Sequence, residues 1–343
     1  MTEQLRLGLI GAGRIGRVHA ANVAQRVPSA RLVAVADVFG EAARALAGEY
    51  GLDAYDDHRA LLARSDVDAV VICSSTDTHA QMITEAAQAG KHIFCEKPIA
   101  LDLARIDAAL AAVERAGVAL QVGFNRRFDT GFAAARQAVL DGKVGRPEMV
   151  RITSRDPAPP PIGYIKVSGG IFMDMTIHDF DMARFLVGEE VVEVSAAGAV
   201  LVDPAIGEAG DIDTAIVTLR YASGALGVIE NSRRAVYGYD QRIEVFGSAG
   251  MVSAANETPH RAELSDAQGV HGPLPLYFFL ERYAAAYGAE MQAFVKSIRE
   301  GTPPRVSGLD GRAPVVIGHA AWKSYREGRP VRLSEIEDQI ERS

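Results

Sequence analysis

Residues Phe94-Cys95-Glu96-Lys97-Pro98 set an acid, a lysine and a proline at the end of an apolar run, Lys91 to Cys95. A lysine just beyond a buried strand stands where ligands collect in open parallel sheets. The proline fixes φ and admits a cis peptide, a choice found where side-chain direction matters. Alone, the stretch reads equally as a strand stop with a solvated lysine. A second stretch, Gly169 to Asp181, carries Asp174, His178, Asp179 and Asp181. On a helix Asp174 and His178 share a face, and Asp181 lies one turn further on it. Met173, Ile177 and Phe180 are left to face a core. A histidine oriented by carboxylates is a candidate general base. The plain alternative is a helix with satisfied polar side chains. Another is a metal site, since His and Asp at such spacings also ligate. The sequence offers no matching third cluster of strong ligands, so no metal is expected.

The elements that must position these residues begin at the N-terminus. Leu5 to Ile10 reads as a buried strand, and Gly11-Ala12-Gly13-Arg14-Ile15-Gly16 follows at once, opening a helical pattern through Val18, His19, Asn22 and Val23. In such a turn the first glycine allows the bend, the second lets backbone approach a pyrophosphate, and the third lets helix pack on strand. The helix N-terminus offers unpaired N–H groups to phosphate. A second strand, Arg31 to Ala36, ends in Asp37, about twenty residues on, where an acid accepts from ribose hydroxyls. A carboxylate there repels a 2′-phosphate, so NAD is favoured over NADP; Val38-Phe39 adds no arginine, whereas Arg14 and Arg44 leave dual use open. Further strands, Asp68 to Cys73, Lys91 to Cys95 and Val118 to Gly123, alternate with helices and predict a parallel sheet. Ser74, Thr76 and His79 follow the third of these strands. With Val38, Glu96 and Lys97 they complete the expected cofactor-binding set. His79 also has a purely structural reading, as a histidine at a helix start.

After Gly123 the pattern changes. A helix is expected over Thr130 to Leu140. Alternating segments follow: Glu148 to Arg155, Val191 to Val202, Thr214 to Tyr221, Ala225 to Asn231, Gln241 to Phe246 and Met251 to Ala255. They predict a largely antiparallel sheet with helices near Asp174 to Leu186 and Leu280 to Arg299. The fold class is therefore α/β: an N-terminal Rossmann doubly wound parallel sheet, 1–123, then a substrate-binding α+β domain, 124–343. An apolar-faced helix near 311–326 is expected to return to the first domain. At 343 residues, two domains are ordinary, and 23% charged content fits a globular chain. A net charge of −8 argues against nucleic acid and anionic membranes as partners. The first strand opens by residue 5, no run of about 18 apolar residues appears, and both cysteines, Cys73 and Cys95, fall in predicted strands. These features lead to the expectation of a cytoplasmic protein with reduced thiols.

The glycine turn, Glu96-Lys97-Pro98 and the Gly169-Gly170…Asp174…His178-Asp179 segment together resemble the Gfo/Idh/MocA oxidoreductases over essentially the whole chain. The likeness extends to the inositol dehydrogenases within that family through Val122 to Asp129, Ser154 to Pro157, Tyr164-Ile165-Lys166 and Asn231 to Asp240. It implies an NAD-dependent dehydrogenase with Lys97, Asp174 and His178 as its catalytic group. His178 would take the hydroxyl proton, Lys97 would stabilise charge on the reacting oxygen, and Asp174 would orient the network. Arg127, Asp156 and Tyr237, with the catalytic three, are the expected substrate contacts. Each of these three also has a plainer reading: a surface ion pair, a turn former before Pro157, and sheet packing. The resemblance implies oxidation of myo-inositol to 2-keto-myo-inositol and a homotetramer. Dehydrogenation of another cyclitol or a sugar is the alternative, and a non-catalytic NAD-sensing regulator is the rival of another class.

Overall fold

The computed structural model describes residues 4–341. Contacts divide the chain into two units: residues 1–125 with Ala285–Ala313, and Arg126–Ala284 with 314–343. Sequence reading drew one boundary, after residue 123, and expected 311–326 as the returning segment. The contact division falls two residues later and assigns Ala285–Ala313 to the first unit.

The first unit is a six-stranded sheet of β1 (Leu5–Ile10), β2 (Ala30–Ala36), β3 (Asp53–Tyr55), β4 (Ala69–Ile72), β5 (His92–Glu96) and β6 (Leu120–Gly123), in the order β3-β2-β1-β4-β5-β6. Every neighbouring pair is parallel. All four residues of β4 are buried, as parallel strands covered on both faces require. Strand order reverses between β1 and β4, and the crevice beyond their carboxyl ends is where such sheets bind ligands. The connecting helices are punctuated locally. Asp102 accepts from Arg105 N–H at 2.8 Å to cap Leu103–Ala116, and Gly117 ends that helix at φ 65°. Met291, Phe294 and Val295, from the helix Ala284–Glu300, pack with Leu7, Leu9, Val71 and Phe94 in this unit's core. β3, only three residues long, carries too short a pattern to be read from sequence.

The second unit holds a seven-stranded sheet, ordered β12-β11-β7-β10-β9-β8-β15, and a small hairpin. Its strands are β7 (Pro147–Arg155), β8 (Val191–Ala199), β9 (Thr214–Tyr221), β10 (Leu226–Ser232), β11 (Asp240–Gly247), β12 (Gly250–Ala254) and β15 (Val331–Arg332), with β13 (Leu264–Asp266) and β14 (Gly269–His271) forming the hairpin. Neighbours are antiparallel except β7 and β10, which run parallel. Burial along β9 alternates strictly from Ala215 on, so one face is covered. The Tyr221 hydroxyl donates to Ala183 O at 3.0 Å and ties β9 to the covering helix Thr176–Val187. The single helix expected over Asp174 to Leu186 is two: Ile171–Asp174 and Thr176–Val187 meet at Met175.

Candidate active site

In the first unit the turn after β1 is built by steric exclusion. Gly11 has φ 101°, and a Cβ there would lie 2.6 Å from the Cys73 carbonyl. A Cβ on Gly16 would lie 1.9 Å from Gly11 O. A Cβ on Gly13 would meet nothing within 4 Å, so this glycine faces open space. Gly13 caps the helix Arg14–Arg26 without a side-chain hydrogen bond, and no acid occupies that helix's first turn. The positive helix end and its N–H groups are thus presented where Gly13 leaves room, which fits a pyrophosphate. Asp37, half-buried, accepts from Ala12 N–H at 2.7 Å and Phe39 N–H at 2.8 Å. The acid that would meet the ribose therefore also braces the glycine turn. These residues together would hold the dinucleotide.

The other expected cofactor residues are placed as follows. Arg14 and Val38 are exposed, and Ile15 is half-buried. Ser74 Oγ pairs with Thr78 Oγ1 at 2.7 Å, and Thr76 opens the helix Thr76–Gln88. The His79 ring nitrogens lie 2.8 Å from Pro98 O and 3.0 Å from Ser74 O, so both are engaged with backbone. His79 therefore links the β4 and β5 loops. Glu96 is the last residue of β5 and lies 2.7 Å from His19 Nε2. Lys97, half-buried, follows it, and the Lys97–Pro98 peptide is cis.

In the second unit Asp174 closes the short helix Ile171–Asp174 and is held from two sides. Arg233 Nη1 donates to its Oδ2 at 3.1 Å, and the Tyr164 hydroxyl donates to its Oδ1 at 2.8 Å. The fully buried Arg233 also reaches Asp211 at 3.5 Å, whose other oxygen accepts from Ile171 N–H at 2.9 Å. Gly170 makes this approach possible: it sits at φ 78°, and a Cβ would lie 2.5 Å from Trp322 and 2.7 Å from Asp211. One turn on, half-buried His178 is flanked by residues that are locked in place. Asn231 accepts from the Thr176 hydroxyl at 2.7 Å and donates to Asp179 at 2.8 Å; Arg126 donates to Asp179 at 2.6 Å. Buried polar groups so fully paired hold their helix in one register.

Asp156 follows β7, its N–H bonded to Ser232 O at 2.9 Å. Desolvation pushes its carboxyl up to about 7; the Asp174 charge adds to this, and Arg233 and Arg126 oppose it. Arg127 is buried, with Nε and Nη2 both donating to Asp181 and the guanidinium 5.3 Å from the Phe185 ring centroid. Asp181 thus turns to Arg127. The Tyr237 hydroxyl donates to Asp240 at 2.6 Å and accepts from Arg155 at 2.9 Å. Asp156 and Asp174 are therefore electrostatically linked, whereas the Tyr237 hydroxyl is tied to the β7–β11 edge.

The model of the "Oxidoreductase family, NAD-binding Rossmann fold" matches residues 5–124, and the "GFO/IDH/MocA C-terminal domain" matches residues 132–253. The chain is 53% identical to the myo-inositol 2-dehydrogenase of Thermotoga maritima over 97% of its own length and 99% of that protein. It is 54% identical to the inositol 2-dehydrogenase of Rhizobium meliloti, covering 96% and 99%. The chain belongs to the Gfo/Idh/MocA oxidoreductase family. A solved structure of scyllo-inositol dehydrogenase from Lactobacillus casei, with bound NAD(H) and scyllo-inositol, superposes with a TM-score of 0.91 at 30% identity, covering 97% of this chain and all of that one. This family member is an oxidoreductase, and its cofactor is NAD.

Sequence reasoning left Arg233, Asn231 and Tyr164 without roles, although the first two carried a signal. Along β10, Gly227, Ile229 and Asn231 are buried while their neighbours are more exposed, and Arg233 continues that alternation just past the strand. Polar residues at inward positions of a strand must find partners. The signal for Tyr164 was its place in the resemblance alone.

Proposed function

We propose that this protein oxidises myo-inositol to 2-keto-myo-inositol with NAD, using Lys97, Asp174 and His178. The observation that carries this reading is the Asp174 carboxylate, clamped by Arg233 and Tyr164 one turn before half-buried His178. The chain also carries the NAD-binding unit, and two relatives above 50% identity are named as inositol 2-dehydrogenases. Bound NAD supplies the acceptor for the substrate's hydride. His178 takes the hydroxyl proton as general base. Asp174, its own geometry locked, orients the substrate and holds negative charge near that base. Lys97 bonds the reacting oxygen and stabilises the charge that grows on it as the proton leaves. Asp156 accepts from a ring hydroxyl, and Arg127 and Tyr237 shape the polar wall.

The test is steady-state NAD reduction with a panel of myo-inositol, scyllo-inositol, other cyclitols and sugars. The highest kcat/KM on myo-inositol is expected. A maximum on scyllo-inositol would favour the second reading, which a 39%-identical scyllo-inositol 2-dehydrogenase of Bacillus subtilis supports. Tight NAD binding with no turnover on any polyol would point to a regulator. Lys97→Ala or His178→Ala should each lower kcat by about 10²–10⁴-fold. Wild-type turnover in either variant removes that residue from the scheme. No helix among the described residues is long and apolar enough to cross a membrane, and we propose a cytoplasmic homotetramer.

A further inference from the structure

The first unit holds a buried polar cluster that the dehydrogenase reading leaves largely unused. His19 lies on the helix Arg14–Arg26, Glu96 ends β5, and Glu290 lies on the helix Ala284–Glu300. One donor atom from each falls within 4.8 Å of the others. Glu290 is fully buried, and among the described residues neither of its carboxylate oxygens has a hydrogen-bond partner. His19 Nδ1 is also buried without one. The walls are apolar. Phe94 and Tyr287 place their ring centroids 5.0 and 5.7 Å from that of His19, and Phe294 packs on Phe94. Among the described residues, the other titratable groups facing the cluster include Tyr287, packed on His19, Cys73, near both acids, and Cys95, near Glu96; burial keeps both cysteines as thiols.

Two carboxylates cannot both stay ionised in such surroundings without a cation. Burial first, and then the charge of Glu96, push the Glu290 carboxyl well up. A metal ion would relieve the charge too, but the contact between His19 and Glu96 argues otherwise. At 2.7 Å it has the length of a charge-assisted hydrogen bond. Ligands on a tetrahedral ion with bonds of about 2.0–2.2 Å stand roughly 3.4 Å apart. On its far side Glu96 is confined by β6, where a Cβ on Gly123 would lie 3.0 Å from Glu96 Oε2.

We propose that His19, Glu96 and Glu290 form one electrostatic network, with Glu290 as the acid that carries the proton, and that this network sets the direction in which β5 delivers Lys97. The neutral Glu290 leaves Glu96 a single strong bond, to His19. Lys97 is the next residue, so a shift of the Glu96 backbone at the end of β5 moves the lysine with it. The second half of this proposal rests on the role given to Lys97; the first half does not.

The test compares the full chain with Glu290→Gln, which keeps a neutral hydrogen-bonding group, and Glu290→Met, which keeps the size but cannot donate. Infrared difference spectra at neutral pH should show a protonated-carboxyl band in wild type that Glu290→Gln lacks. An acid raised in the fold contributes stability below its unfolded pKa and loses it as pH rises. The Tm of wild type should therefore fall relative to Glu290→Gln between pH 5 and 9. Absence of the band, a pH-independent Tm difference, or a stoichiometric divalent metal in the purified protein would overturn the network. None of these readouts needs a polyol, so they stand even if the dehydrogenase reading fails. For positioning, Glu290→Met should lower kcat by about 10-fold with polyol KM nearly unchanged, and Glu290→Gln should restore it. Equal kcat in all three proteins would overturn that half.

Discussion

Asp156 shows how a single residue's chemistry depends on neighbours that sequence distance hides. Read in the chain, it is a turn former before Pro157. Folded, its carboxyl is pushed up to about 7, first by burial and then by the charges of Asp174 and Asp179, with Arg233 and Arg126 opposing. If its carboxylate accepts from a polyol hydroxyl, KM should fall as pH rises from 6 to 8, because the acceptor form grows through that window. Asp156→Asn should flatten this dependence in a steady-state pH series. Stability gives the opposite trend. A carboxyl raised above its ordinary value of about 3.9 contributes stability below that pH and loses it on passing through 7. Asp156→Asn should gain on wild type in Tm between pH 5 and 8. Lys97, Asp174 and His178 were legible as chemistry-bearing types. Their partners were not: Arg233 stands 59 residues from Asp174, and only strand register brings it there.

At the scale of elements, the nucleotide-binding half follows from short-range rules. Gly11 and Gly16 each answer a clash within a few residues or just past the adjacent strand β4, while Gly13 keeps space open. The inner parallel strands are largely apolar, and some of their helices carry local caps or glycine stops. The Gly169-Gly170 segment is different. Its glycines were legible, but the reason for Gly170 lies in Trp322 and Asp211, distant in sequence. Gly170→Ala adds a side chain at φ 78° and presses on both neighbours. A loss of about 1–3 kcal/mol in denaturant unfolding is expected, with a fall in kcat as Asp174 loses its place. Unchanged stability would mean the loop relaxes freely. The strands near β3, β13, β14 and β15 were not foreseen, because runs of two or three residues carry no period.

For the whole molecule, the second sheet bears on assembly. Met251, Phe246, Met149 and Leu226 are paired in register across β12, β11, β7 and β10, and each is 45–55% exposed. A contiguous apolar row on an open sheet face suits a contact between copies of this chain, and supports the proposed homotetramer. Met149→Lys with Phe246→Lys should lower the mass seen by light scattering while leaving NAD binding intact; an unchanged mass would place the contact elsewhere. The sequence by itself determined the family, the parallel nucleotide sheet and the residue types able to do chemistry, because glycine sterics, caps and hydrophobic period act over a few residues. Tertiary structure alone decided that Arg233 and Tyr164 hold Asp174, that Asn231 and Arg126 hold the turn around His178, and that Glu290 lies with His19 and Glu96. Those pairings depend on strand order, register and a returning helix, and no local propensity encodes which distant side chain will meet which.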